Sequence, residues 1–425
     1  MGRTPQTLAA ALGALLLVAG PPVAAPAAAG AVAHVTVVSE DPADWTPHVL
    51  DGSVDALAEV GDVIVAGGDF TSVAGPGGRE AGDHRYIFAF ERRTGRVLEH
   101  FAPDFDAPVR ALTPGPDGTV IAGGAFREVD GEPRRGLVRL SLRDGGAVGA
   151  FRTVLDNGRV HTLESSGRHL YVGGSFSSLG GTKRTALARL DARTGRVDPD
   201  FDLRVAEARR GTLRVEDLAV ASGGRRLLIA GPFTQVAGER RYQIALIDTA
   251  ASPARLRPWS TEAFAAPCDY EALHTYVRAV DFAPDGSYFT VAAGGGPETK
   301  PGLCKTATRW EADAGADAEP TWVNHTGGDS LFSVAATGAA VYVAGHQQWM
   351  DNPEGDHSKG PGAVDRLGIA ALDPRTGRAL AWNPGRDRGH GAEALLATRD
   401  GLYVGDDTDL LGSEHRPRVG LFPLD

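Results

Sequence analysis

The residues best suited to chemistry lie in the last third of this chain. His346, His357 and His390, together with Asp351, are of metal-ligand type, but no two of these histidines keep a known ligand spacing. Asp406, Asp407 and Asp409 resemble part of a calcium loop. They lack the glycine and the closing glutamate of an EF-hand, so solvated turn carboxylates are the simpler reading. His346 and His390 beside nearby acids could transfer protons in an extracellular hydrolase or lyase acting on polysaccharide. A serine on a G-x-S-x-G elbow is absent from the sequence, and among 54 acidic residues no carboxylate pair is singled out for glycoside cleavage. No catalytic residue, metal or cofactor is therefore assigned.

Recognition chemistry is better represented. Rings that cover apolar faces, and amides, guanidinium groups and carboxylates that form directed hydrogen bonds, are what a sugar or peptide site requires. The candidates are Tyr270, His274, His325, His346, Gln348, Trp349, Asp351, Asn352, Arg386, Arg388, His390 and Asp406. Asn324-His325-Thr326 also fits a glycosylation sequon.

These residues need a scaffold, and the scaffold is a repeat. Seven units open at Val54, Val109, Val160, Val215, Val277, Leu331 and Ala392, spaced by 51 to 62 residues. Short β-type segments recurring at this period predict an all-β fold: a single seven-bladed β-propeller of four-stranded antiparallel blades. The third unit shows the pattern: Val160-His161-Thr162-Leu163, then Leu170 to Phe176, then Ala186 to Asp191, then Arg193 to Phe201. Its third segment alternates as a half-buried strand does, while the second is uniformly apolar, as a strand covered on both faces should be. Asp191-Ala192-Arg193-Thr194-Gly195 reads as a hairpin turn, as do Arg92 to Gly95 and Asp373 to Gly377. After the second segment, paired glycines permit close backbone approach, and Phe70, Phe126, Phe176 and Phe233 plug the gap between blades.

The pattern resembles the bacterial delta-60-repeat type of β-propeller. The resemblance is carried by Tyr171-Val172-Gly173-Gly174-Ser175-Phe176, Ala188-Arg189-Leu190-Asp191 and Thr194-Gly195, with their counterparts in units one and two. It implies a secreted protein, often found beside adhesion-like or carbohydrate-binding modules, and brings no defined catalytic residues with it.

The chain ends on a third-type segment, Val419 to Phe422, with no residues left for a fourth. His34 to Val38 and Trp45-Thr46-Pro47 match the end of such a segment, so an N-terminal strand is expected to complete the last blade and close the ring. In alternating strands, the loops entering each first strand and those leaving each second strand emerge on one face. Units five to seven depart from the template in these loops, and their irregular residues are the candidates named above.

Bulk properties set the compartment and the excluded partners. Lys and Arg total 43 against 54 acids, a net charge of −11, which excludes general attraction to nucleic acid or anionic lipid. Residues 1–29 read as a signal peptide, with Arg3, an apolar run from Leu8 to Val18 too short to span a bilayer, and small residues before position 30. Residues 30–425 form the propeller. Cys268 and Cys304 suit an oxidising compartment and one disulfide. The expectation is a secreted, monomeric, non-catalytic propeller that binds a glycan or an extracellular protein through the loop face of blades five to seven. The alternatives are the hydrolase or lyase above, or a purely structural cell-surface module.

Overall fold

The computed structural model describes residue 2 and residues 32–266, 268, 276–295 and 302–424. The expected signal peptide, apart from residue 2, and Tyr270 and His274 lie outside the described residues. Among the described residues there are strands, turns and connecting segments but no helix, and so none long and apolar enough to cross a membrane.

Each sequence unit becomes one antiparallel sheet. Their first strands are Val54–Val60, Val109–Gly115, Val160–Ser166, Asp217–Val220, Val277–Phe282, Leu331–Ala336 and Ala394–Thr398. These first strands pack against one another in chain order, and Ala394–Thr398 also packs against Val54–Val60. The arrangement is propeller-like.

The third sheet shows why the sequence folds this way. His169–Gly174 pairs with Val160–Ser166 on one side and with Leu187–Asp191 on the other. A side chain on Gly173 would lie 2.6 Å from Thr162 Cγ2 and 2.8 Å from Val215 Cγ1 of the next sheet, so glycine is required for the close approach. The plug phenylalanines are buried, and Phe126 meets Phe105 edge to face at 4.8 Å. The hydrophobic core is accordingly divided between neighbouring sheets: Ala111, Ile121 and Leu137 of the second sheet pack with Leu163, Val172 and Leu190 of the third.

One feature was not evident from residue type. The residue preceding each third strand is left-handed in all seven sheets: Tyr86, Gly136, Ala186, Gln243, Lys305, Gly368 and Arg418, with φ between 57° and 72°. Only two of these are glycine, so the sheet geometry holds five side-chain-bearing residues in a conformation that isolated residues avoid.

The four-stranded expectation requires correction. Among the described residues, only the fourth and fifth sheets have a fourth strand, Arg255–Leu256 and Trp322–His325. In the first, second, third and sixth sheets it shrinks to one bridge, Phe90 with Val97, Leu140 with Ala147, Leu190 with Val197, and Leu372 with Ala379; among the described residues the seventh sheet has neither. The reason is visible in the third sheet. Just after Val197, the Asp198 carboxylate accepts the Asp200 N–H at 2.9 Å and Pro199 offers no donor, so the chain turns away from the ladder.

Short ribbons form where the loops meet. His48–Val49 pairs with Val73–Ala74, Val205–Ala208 pairs with Phe233–Val236, and single bridges join Phe105 to Val129, Leu155 to Leu179 and Arg386 to Leu411. Each joins a segment entering a first strand to the loop leaving a second strand. The two loop classes therefore share a face, as strand alternation requires.

Candidate ligand-recognition face

Aligning the seven first strands isolates one position that differs in nearly every copy. It is occupied by Asp55, Arg110, His161, Glu216, Arg278, Phe332 and Glu393. The preceding residue is Val, Leu or Ala, and two positions further on the residue is Leu or Val in every unit. The constant positions build the core, whereas the variable one keeps partial or full solvent access in all seven copies. Sequence reasoning missed this set, although the constant Val and Leu around it carried the signal.

These side chains interact in sequence along the first strands. Arg110 pairs with Asp55, and Arg278 lies 3.6 Å from Glu216, which also pairs with Arg214. The Arg278 guanidinium lies 5.8 Å from the Phe332 ring centroid. Phe332 stacks on His390 at 5.1 Å with planes 9° apart, and His390 Nδ1 is 3.5 Å from Glu393. Burial pushes Asp55 up to about 6 against the opposing pull of Arg110. Burial pushes His161 down to about 4, leaving a neutral imidazole at neutral pH.

Further along the same strands, two carboxylates link adjacent sheets. Asp217 accepts the Val280 N–H at 2.9 Å and the Thr162 hydroxyl at 3.1 Å, and Asp281 accepts the Ala336 N–H at 2.8 Å. Burial raises Asp217 to about 6 and Asp281 to about 7. It also raises Glu164, to which both aspartates add repulsion.

The loops of sheets five to seven sort into two groups. In the first, side chains hold the loops together. Asn324 donates to Asp351 at 2.6 Å and to the Gly377 carbonyl at 2.7 Å, and Asp351 also accepts the Ala379 N–H. The Asn324 amide of the sequon is thus buried and committed to these bonds. Asn352, with no exposed surface, donates to the Thr326 and Ser358 carbonyls and accepts from Gly360, while its N–H bonds the His325 carbonyl. Arg386 and Asp406 form a buried ion pair at 3.1 Å, and Arg386 reaches Asp407 and two carbonyls besides. Burial raises Asp406, with Arg386 opposing.

The second group converges nearer the first strands. Arg388 donates to Asp329 at 2.7 Å and to the His346 carbonyl at 3.2 Å, and Gln348 donates to the other Asp329 oxygen at 3.3 Å. His346 Nδ1 donates to the His390 carbonyl at 3.1 Å. The His390 side chain is 72% exposed, and Glu393 raises its pKa. Trp349 sits half-buried in a ribbon opposite Asp365, and His325 is half-buried with its pKa lowered by burial. The structure therefore gathers His346, Gln348, Arg388 and His390 around Asp329. His325, Asp351 and Asn352 join a second network around Asn324 and Thr326, which meets the first where the Thr326 hydroxyl donates to the Asp329 carbonyl at 2.6 Å.

Two buried polar residues were not anticipated. Gln347 occupies the place of the plug phenylalanine in sheet six: its carbonyl accepts Gly368 N–H as that of Phe176 accepts Ala186 N–H. The side chain has no exposed surface, and neither amide atom has a hydrogen-bond partner among the described residues. Lys305, 3% exposed, likewise has an ammonium without a hydrogen-bond partner among the described residues. The disulfide between Cys268 and Cys304 is formed, tying the segment before the fifth first strand to the loop after its second strand. Among the described residues, no group of three or more His, Cys, Asp or Glu side chains is placed to hold a metal ion.

Comparison with known proteins points to the same architecture. A family model described as a domain of unknown function (DUF5122) beta-propeller matches residues 115–145 and 168–201. No curated protein matches the chain. Among solved structures, the WD40 repeats of RRP9 align over 93% of this chain and 99% of theirs, at 11% identity and a TM-score of 0.53. The computationally designed Ika8 protein aligns over 91% of this chain and 100% of its own, at 11% identity and a TM-score of 0.49. The first of these likenesses is one of fold alone.

Proposed function

We propose that this protein is a secreted, non-catalytic seven-bladed propeller that binds an extracellular glycan through the loop face of its fifth to seventh sheets. Closure by the N-terminal segment is supported by two hydrogen bonds to the last strand, from Ser39 N–H to Pro423 and from Ala43 N–H to Leu421, each 2.8 Å. Secretion is supported by the leader-like residues 1–29 and is compatible with the disulfide.

The observation that carries the functional reading is the variable set on the first strands, together with the exposed His390 ring that Phe332 holds flat. A repeat that conserves its core positions but varies one accessible position in each copy supports recognition at that position. An exposed planar ring with Glu393 3.5 Å from its Nδ1 suits the apolar face and hydroxyl groups of a sugar. A protein partner would use the same surface.

Glycan-array binding by the purified mature protein tests the reading. His390→Ala is expected to abolish binding with the melting temperature unchanged, and Arg388→Ala to abolish it with a lowered melting temperature, since it leaves the Asp329 carboxylate without its ion pair. Arg127→Ala, on an exposed loop of sheet two, should leave it intact. Equal binding by all three variants would remove the proposed face.

A further inference from the structure

Residues 34–43 run as a strap from the sixth sheet to the last strand, and one end of it is fastened by an imidazole. His34 is 5% exposed. Its N–H donates to the Thr337 carbonyl at 2.9 Å, just after the first strand of the sixth sheet. Its Nε2 meets the Thr398 carbonyl at 2.8 Å, at the end of the first strand of the seventh. A carbonyl only accepts, so Nε2 carries the ring hydrogen and Nδ1 is a bare lone pair. That Nδ1 is sealed from solvent and has no hydrogen-bond partner among the described residues.

The next three residues, Val35, Thr36 and Val37, make no hydrogen bond among the described residues, and Val35 is 95% exposed. The strap is fixed again only at Val38, whose N–H donates to Tyr342 Oη at 2.9 Å. His34 thus holds the first part of the strap by itself.

The ring stands in a neutral setting. Residues 335–340 of the sixth sheet carry no charged side chain. In the seventh sheet Arg399 and Asp400 follow Thr398, but Arg399 pairs with Asp62 at 2.9 Å and Asp400 pairs with Arg92. Asp281, reaching over from the fifth sheet, accepts the Ala336 N–H, and Glu40 on the strap accepts the Asn383 N–H. None of these groups acts on the imidazole. Burial lowers its pKa, with only the Thr398 carbonyl opposing. A second proton would have to enter at Nδ1, where it meets neither an acceptor nor water. The resulting imidazolium would be a buried charge without a counter-ion, so leaving the site to regain hydration becomes the favoured course.

We infer that His34 is an acid-released catch: it fastens the N-terminal strap between the sixth and seventh sheets while its imidazole is neutral, and protonation at Nδ1 frees residues 32–37. Val38, Ser39 and Ala43 then remain to hold the strap. A histidine that titrates lower in the fold than outside it contributes fully above its ordinary value of 6.5 and loses that contribution as pH falls below it. Asp217 and Asp281 act in the opposite sense, contributing more as pH falls. Release of the strap therefore differs from their effect in both place and sign.

Hydrogen exchange at the His34 amide of the full mature protein tests this, at about pH 7.5 and about pH 5 and corrected for intrinsic exchange rates. The strand His169–Gly174 of the third sheet serves as the reference. Protection at His34 is expected to fall several-fold at the lower pH, to a limit of roughly 30-fold for a group with an ordinary value of 6.5, while the reference holds. His34→Gln keeps an amide donor for the Thr398 carbonyl and does not titrate, so protection at residue 34 should be independent of pH, whatever its level. Equal protection of the wild type at both pH values would overturn the catch, as would an acid loss that persists in His34→Gln. A fall of the same size in the reference strand would assign the change to the whole fold and overturn it too.

Discussion

Trp382 Nε1 donates to the Ser39 carbonyl at 3.0 Å, joining residues 343 positions apart in sequence. The Val38 N–H donates to Tyr342 Oη at 2.9 Å, and Glu40 accepts the Asn383 N–H at 2.8 Å. The N-terminal segment is thus held by the sixth sheet as well as by the last strand.

Deletion of residues 32–43 exposes the Val419–Pro423 strand as an unpaired edge. The truncated protein is expected to melt at lower temperature and to self-associate on size-exclusion chromatography, because a bare edge templates pairing with other chains. A monomeric truncation with an unchanged melt would show that the segment contributes nothing to closure.

Arg386 and Asp406 are a second long-range fastening. Arg386→Met strands a carboxylate that is 3% exposed, and the expected loss is about 3–5 kcal/mol in chemical denaturation. Replacing both partners, with Asp406→Leu added, should recover most of it. A single variant as stable as the parent would mean that the pair is dispensable.

Gln347 offers the opposite sign. Gln347→Leu removes two unsatisfied polar atoms from a position where four other sheets place phenylalanine, and should stabilise the protein by about 1–3 kcal/mol. Destabilisation of similar size would show that the amide has a partner, such as an ordered water.

The carboxylates linking the first strands predict a pH dependence. Asp281 is raised to about 7 and Asp217 to about 6, so the folded state keeps protons that an unfolded chain has already lost. Their contribution to stability is fullest at low pH and declines as pH rises through these values. Between about pH 4 and about pH 7, Asp281→Asn should flatten the fall in melting temperature while retaining an acceptor for the Ala336 N–H. The wild-type slope persisting in the variant would assign it to other groups.

Reduction of Cys268–Cys304, or Cys268→Ser with Cys304→Ser, is expected to cost about 3–4 kcal/mol by the loop-entropy relation for its 36-residue separation. The fifth sheet should respond first, since Trp259, Phe264, Phe289 and Trp310 pack beside the disulfide in one aromatic cluster. Near-ultraviolet circular dichroism would register that change.

The all-β repeat, the hairpin turns, the glycine pairs and the plug phenylalanines were legible in the sequence. Each depends on interactions between residues close in the chain, or on a pattern copied from unit to unit. The shared loop face was legible as well, since strand alternation alone dictates it. The short fourth strands were less so, because Asp198 and Pro199 end the third sheet's ladder after a segment that reads as a strand by composition.

The roles within the candidate site needed the tertiary structure. Sequence placed Arg386, Arg388, Asp351 and His390 in irregular loops of the same kind, yet the fold spends Arg386 and Asp351 on fastening and leaves His390 open. The accessible set from Asp55 to Glu393 joins residues from different sheets. Residue type and spacing specify which side chains exist and how each strand alternates. Which polar groups find partners depends on distances across the sheets, and those arise only once the sheets are packed together.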